Sequence, residues 1–376
     1  MLPTLQRDGS FAFATAVLAV VLAGSSAAED FTWKLPRGDA AASGFSPATL
    51  PESLTVGWEF KADDAIEDTP VLDGERVFVV DGTGTIYGLS QKSGSELWRK
   101  QYDTIFLTSP VIAGDRLIIG DIDGNVYALS ASEGKELWHR EIEGQVYSAA
   151  GIDGDRGLIA TDGGTLYCFN LADGTSVWEY QADDQIRCSP TVVGERTFLG
   201  GCDSQLHIIN LKTGEAEGKK LELDGPTGST PAVLGDAAIL PIMDGSVFAF
   251  DWKTQKQLWL YEDREQSQEY ETSAAVSEKM VVVTSKRRQV DGLNPKTGER
   301  VWRATLKRFA DASPVIAGDD VWIAASDGRL LRLDLASGKQ KWEHEIRGGF
   351  ASGPAVTDKE LIIGDDNGVV RCFRSK

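Results

Sequence analysis

The sequence predicts an all-β fold, an eight-bladed β-propeller of four-stranded antiparallel blades. Three observations lead there. Trp58, Trp98, Trp138 and Trp178 stand 40 residues apart, and Trp259, Trp302 and Trp342 continue the series after a gap at Gly218. A Ser/Thr-Pro-type dipeptide keeps the same period, at Thr69-Pro70, Ser109-Pro110, Ala149-Ala150, Ser189-Pro190, Thr230-Pro231, Ser273-Ala274, Ser313-Pro314 and Gly353-Pro354. Between these marks lie short β-branched and aromatic runs separated by Gly and Asp-Gly turns, the pattern of hairpins. Apolar residues do not recur at i, i+3, i+4 and i+7, which excludes a helical repeat of this length.

Each unit reads alike. Thr108 to Ile112 is a first strand, turned by Ala113-Gly114-Asp115-Arg116. Leu117 to Gly120 is the second, turned by Asp121-Ile122-Asp123-Gly124-Asn125. Val126 to Leu129 is the third, and Ser132-Glu133-Gly134-Lys135 leads into a fourth that opens with Glu136-Leu137-Trp138. The chain stops at Cys372-Phe373-Arg374, in the third strand of its last unit, while a spare fourth strand, Thr55 to Phe60, precedes the first unit. Residues 55–60 should therefore pair with 369–374 and close the ring, removing the exposed edges of an open array.

The N-terminus carries a targeting pattern. A weakly basic start at Arg7 precedes the apolar run Phe11 to Leu22, and Ala23-Gly24-Ser25-Ser26-Ala27-Ala28 supplies small residues for cleavage. The expected organisation is a signal peptide over 1–28, an extended strap over 29–54 and the propeller over 55–376. No cysteine lies near the cleavage region, so a soluble periplasmic or secreted protein without a lipid anchor is expected. A net charge of −19 disfavours nucleic acid and anionic lipid surfaces as partners. No segment of the mature chain is apolar enough to span a membrane, and a monomer is expected. Cys168, Cys188, Cys202 and Cys372 form no C-x-x-C pair, and His139, His207 and His344 are scattered, so no zinc site is expected.

The third strand, Gly turn and Trp recur as Tyr127-Ala128-Leu129 with Gly134-Lys135 and Trp138. They return as Leu293 with Thr297-Gly298-Glu299 and Trp302, and as Leu333 with Ser337-Gly338-Lys339 and Trp342. This resembles the pyrroloquinoline-quinone (PQQ) enzyme repeat with its Trp-docking motif, in its short-bladed, non-catalytic BamB-like branch. The resemblance covers about residues 55 to 374. It implies structural roles for Trp58, Trp98, Trp138, Trp178, Trp259, Trp302 and Trp342. The enzymes of this repeat family hold PQQ with calcium, a disulfide between adjacent cysteines, a stacking Trp and a catalytic Asp. Here no cysteines are adjacent and the units leave little spare chain, so no cofactor, metal or catalytic residue is expected. Asp121-Ile122-Asp123-Gly124 and Asp365-Asp366-Asn367-Gly368 read as hairpin turns rather than calcium loops.

The repeat fails in places. Gly218 stands for a Trp, Gln255 for a turn Gly, the connection Tyr261 to Tyr270 is lengthened, and Lys286-Arg287-Arg288 replaces an Asp-Gly turn. The last two should be neighbours, since connections 4→1 and 2→3 of an up-and-down blade share a face. On that face one row of equivalent positions (Glu67, Leu107, Tyr147, Arg187, Gly228, Glu271, Asp311 and Ala351) mixes chemistries that packing would not choose. Phe106, Phe309 and Phe350 lie beside it. A docking face for an envelope protein partner is expected across Leu107, Tyr147, Arg187, Phe309 and Phe350, out to Lys286, Arg287 and Arg288. The chain thus reads as a non-enzymatic binding scaffold, with a PQQ-type oxidoreductase or a ligand- or polysaccharide-sensing propeller as the alternatives.

Overall fold

The computed structural model describes Met1 and residues 31–375; the expected signal segment and its Ala28 cleavage site lie outside the described residues. Eight sheets form a ring. Blade 1 consists of strands Val71–Leu72, Arg76–Val80, Thr85–Ser90 and Glu96–Gln101, running from the central channel outward. Blades 2 to 7 repeat the pattern. Blade 8 takes its three inner strands from the C-terminus (Ala355–Val356, Glu360–Gly364 and Val369–Arg374) and its outer strand, Thr55–Lys61, from the N-terminus. The closing pair is antiparallel, from Thr55 opposite Arg374 to Lys61 opposite Val369.

Local sequence explains the blades. In the 2→3 turn of blade 2, Asp121 Oδ1 accepts the N–H groups of Asp123 at 3.0 Å and Asn125 at 2.7 Å, while Tyr127 donates its hydroxyl to Oδ2 at 3.0 Å. Asp365 does the same for Asn367 and Val369, both at 2.9 Å. These carboxylates are committed to their own turns, a standard Asx use. Inner strands are joined by a second device. The N–H of Ala149 donates to Ser189 Oγ at 3.1 Å, Ser189 to Thr230 Oγ1 at 3.1 Å, Thr230 to Ser273 Oγ at 2.9 Å, and Ser273 to Ser313 Oγ at 3.0 Å. The recurring Ser/Thr hydroxyl therefore laces blades 3 to 7 together around the channel.

The outer ends are joined by tryptophan. A β-bulge beside each Trp of the outer strands re-aims the indole toward the next blade. Trp98 Nε1 donates to Ala131 O at 3.0 Å, and its ring lies over Gly134, where a Cβ would sit 2.4 Å from the indole. The glycine is required twice over, by that approach and by its φ of 66°. Trp58, Trp138, Trp178, Trp259 and Trp302 each make the same N–H bond, at 2.8 to 3.0 Å, to the following blade. Trp58 docks on blade 1 beside Gly94, so it fastens the closure. Trp342 differs. The next blade is blade 8, where the chain ends replace the 3→4 turn, and Trp342 packs instead against Trp322, His344 and Phe373.

The defect at Gly218 and the defect at Gln255 are one feature. Blade 4 should send a Trp to a glycine of blade 5, but Gly218 has no ring to send and Gln255 is no glycine. The Gln255 side chain fills the gap instead: Oε1 accepts from Lys219 N–H at 2.9 Å and Nε2 donates to Glu217 O at 2.9 Å. Gln255 pays for this with a φ of 55°. Gln255→Ala should lower stability by about 1–2 kcal/mol, through two lost hydrogen bonds, with the backbone strain unchanged. Gln255→Gly should cost less, because glycine relieves the strain. Chemical denaturation of the two variants checks the order; both lose the amide bonds, so the reverse order would mean that the backbone strain at residue 255 is negligible.

Candidate functional site

The two faces of the ring differ. Residues 31–54 cross the face that carries the 1→2 turns, bonding to one first strand after another. Trp33 exchanges both backbone bonds with Leu72, and the carbonyls of Lys34, Ala40, Ala41, Ser43 and Gly44 accept from Ile112, Val192, Val233, Val276 and Ile316 at 2.7 to 3.0 Å. Phe45–Ser46 adds a short parallel strand to blade 7. Midway, Arg37 reaches across the channel, donating to Pro314 O at 3.0 Å and Ala274 O at 2.7 Å. Burial lowers its guanidinium to about 10, with nearby Asp39 working against the shift. The strap thus forms the floor of a pit of about 310 Å³, walled by Glu67, Asp68, Tyr147, Asp311 and Ser352, that opens on the opposite face.

Inside the pit, burial and then adjacent Glu67 push the Asp68 carboxyl up to about 8. A raised acid favours the folded state while protonated. Its contribution is full below the ordinary carboxylate range and is lost as pH rises through about 8.

The open face carries the row of rim positions. Leu107 is 41 % exposed, and Ile105, which the sequence reading missed, is 42 % exposed beside it. Arg187 lies over the Tyr147 ring, 4.9 Å from its centroid, and Tyr147 in turn bonds Gln145. Leu107, Tyr147 and Arg187 open blades 2, 3 and 4, so they form one continuous sector. Lys286 is not contiguous with them. It stands across the mouth in blade 6, paired with Glu271 at 2.8 Å and Asp311 at 2.6 Å, and 5.0 Å from the centroid of the Phe309 ring. Burial opposes its charge, but the two carboxylates prevail and hold its ammonium above the ordinary lysine range. Arg287 and Arg288 are exposed on the same turn.

One expected member of the face, Phe350, is displaced, and so is Phe106, expected beside it. Phe350 is 1 % exposed and Phe106 4 %. They belong to an equivalent row, Ile66, Phe106, Val146, Ile186, Thr227, Tyr270, Ala310 and Phe350, that is buried in every blade. This row packs under the rim rather than on it. Aligning it across the repeat is the signal that separates it from Leu107 and Arg187.

The lengthened connection does lie beside the basic turn: Lys286 N–H donates to Glu269 O at 2.9 Å, and Ser285 Oγ to Gln268 Oε1 at 2.7 Å. It is tied down by ions. Arg303 grips Asp291 through Nε and Nη2, each at 2.6 Å, and Asp263 through Nη1 at 2.7 Å. The loop returns to register at buried Tyr270.

The pit does not fit a PQQ–calcium pair. The four cysteines are all free, and among the described residues no three His, Cys, Asp or Glu side chains converge to hold a metal. No helix of the described residues is long and apolar enough to cross a membrane.

Ring, Trp docking and Gly turns define a quinoprotein-type β-propeller with one strapped and one open face. The sequence profile of the family described as outer membrane protein assembly factor BamB matches residues 51–151, 142–217 and 219–376, and the chain belongs to that family. It is 27 % identical over 168 residues to outer membrane protein assembly factor BamB of Burkholderia pseudomallei (strain K96243). That alignment covers 41 % of this chain and 44 % of the relative, less than half of the relative's own length. Among solved structures, BamB from Moraxella catarrhalis matches with a TM-score of 0.76 and 20 % identity, over 86 % of this chain and all (100 %) of that one. A europium-containing methanol dehydrogenase matches with a TM-score of 0.76 and 12 % identity, over 92 % of this chain and 98 % of that one. At such identities the two structures share the fold, and the fold alone does not choose between binding and catalysis.

Proposed function

We propose that the protein is a non-enzymatic scaffold of the cell envelope, acting in outer-membrane protein assembly by docking a protein partner on its open face. One observation carries the reading. The strap occupies one face, while the rim of the other presents exposed Leu107 and Ile105 in the blade next to the stacked Tyr147–Arg187 pair. An aromatic and an arginine beside aliphatic groups are the chemistry of interface anchors. Family membership supports the assembly role, and the misfit of the pit to a quinone and metal supports the non-enzymatic reading.

Replacing Tyr147 and Arg187 together with Ala should weaken capture of the envelope partner by about 2 kcal/mol or more. The thermal melt should stay nearly unchanged, because both side chains cap the rim rather than fill the core. Crosslinking pull-down from native envelope, quantified against folded protein, measures the effect. If capture falls only as the melting temperature falls, the pair is structural and the docking face is misplaced.

A further inference from the structure

Because each blade repeats the others, the chain supplies its own control for surface charge. Register is fixed by a recurring backbone bond from the residue that opens each 4→1 connection to the αL residue of the 2→3 turn, as in Tyr102 to Gly84, Ala182 to Gly164 and Leu306 to Arg288. The next residue is acidic in five of the seven connections of ordinary length: Asp63, Asp103, Glu143, Asp183 and Asp224. In the two adjacent blades 6 and 7 it is Lys307 and Arg347. The 2→3 turns show the same inversion. Every blade but the sixth carries at least one Asp there, and blade 6 carries Lys286, Arg287 and Arg288. Arg308 adds a further cation. In a protein of net charge −19, one sector of one face has been turned from acid to base.

The backbone at this sector is strained to hold the change. The last turn residue is glycine in six of the eight blades, with φ between 72° and 94°; the exceptions are Ser204 and Arg288, the latter at φ 68°. An arginine in that region carries a steric cost that glycine avoids. Strain retained at an exposed basic residue motivates a functional hypothesis for this sector. Four of the nearby acids are already engaged, Glu271 and Asp311 by Lys286, Asp327 by Arg329, and Asp263 by Arg303. Arg287, Arg288, Lys307, Arg308 and Arg347 are exposed, and no carboxylate of the described residues pairs with them.

We infer that this basic sector of blades 6 and 7 docks an acidic segment of the protein partner, across the pit from Leu107, Tyr147 and Arg187. The inference rests on the docking reading above and adds the partner's chemistry. An acidic segment is repelled by the rest of the face and attracted here, so the sector also sets the orientation of the bound partner.

The test uses the chain's own repeats. The variant Arg287→Asp, Arg288→Gly, Lys307→Asp, Arg308→Thr gives blade 6 the residues that stand at these positions in blades 1 and 2. The melting temperature should hold or rise by about 2 °C, since the strain at residue 288 is relieved. Binding of a fluorescein-labelled oligo-glutamate peptide, read by anisotropy at low ionic strength, should fall at least about tenfold relative to the natural protein. Partner capture from envelope should fall with it. Equal peptide binding by both proteins, or none by the natural one, overturns the inference. So does sector-dependent binding to phosphatidylglycerol vesicles without peptide binding, which would assign the sector to lipid. Loss of capture in the Tyr147/Arg187 variant with none in this one would refute the acidic-segment inference and leave the docking face standing.

Discussion

Deleting residues 29–60 should leave the ring open, and the protein should aggregate or lose its cooperative unfolding transition. The reason is that three structural roles lie in this short stretch. Thr55–Lys61 is the outer strand of blade 8, paired along its length with Val369–Arg374, and without it the edge of the C-terminal strand is bare. Trp58 is the docking ring between blade 8 and blade 1, so its loss also frees the 3→4 turn around Gly94. The strap that precedes them bonds to first strands of six blades and buries Trp33 completely. A shorter deletion, of residues 31–50, separates the roles. It should lower the melting temperature while retaining a single transition, because the closing strand and Trp58 remain. Size-exclusion chromatography and thermal unfolding of both truncations give the answer. A soluble, monomeric and cooperatively folding 29–60 deletion would show that the ring is held by interblade packing alone.

Much of this architecture was legible in the sequence because it rests on counting. Eight dipeptide marks, eight Trp-type positions and a spare fourth strand admit only one closure, and side-chain alternation in short strands leaves little freedom of register. What depends on contacts between units was not legible. Gly218 and Gln255 read as two unrelated lapses, since nothing in a linear chain says that the Trp of one blade lands on the turn glycine of the next. Phe106 and Phe350 read as exposed because they sit in loops, where period-2 alternation gives no direction; only their burial alongside Ile66, Val146 and Ile186 assigns them to the core. The strap was visible as a Gly- and Pro-rich leader. That it floors the channel, with Arg37 bridging blades 6 and 7, depends on bonds spanning more than two hundred residues.

The Trp series itself is not uniform, and the difference is measurable. Trp302 is 8 % exposed, donates Nε1–H to Leu335 O at 2.8 Å and lies against Gly338, so one ring unites blades 6 and 7. Trp302→Ala should cost about 3–4 kcal/mol, combining a large cavity with an orphaned carbonyl in the next blade. Trp342 is only half-buried, and its contacts with Trp322, His344 and Phe373 are edge or stacked ring contacts. It has no 3→4 turn to dock on, because blade 8 is where the two chain ends meet. Trp342→Ala should therefore cost less, about 1–2 kcal/mol, mainly lost apolar and aromatic contact. Urea denaturation of both variants under one buffer measures the gap. Its existence is what the closure geometry demands: a blade built from two chain ends has no turn glycine to offer. Equal losses for Trp302 and Trp342 would mean that neither docking on the next blade nor the deeper burial of Trp302 adds to the stabilisation.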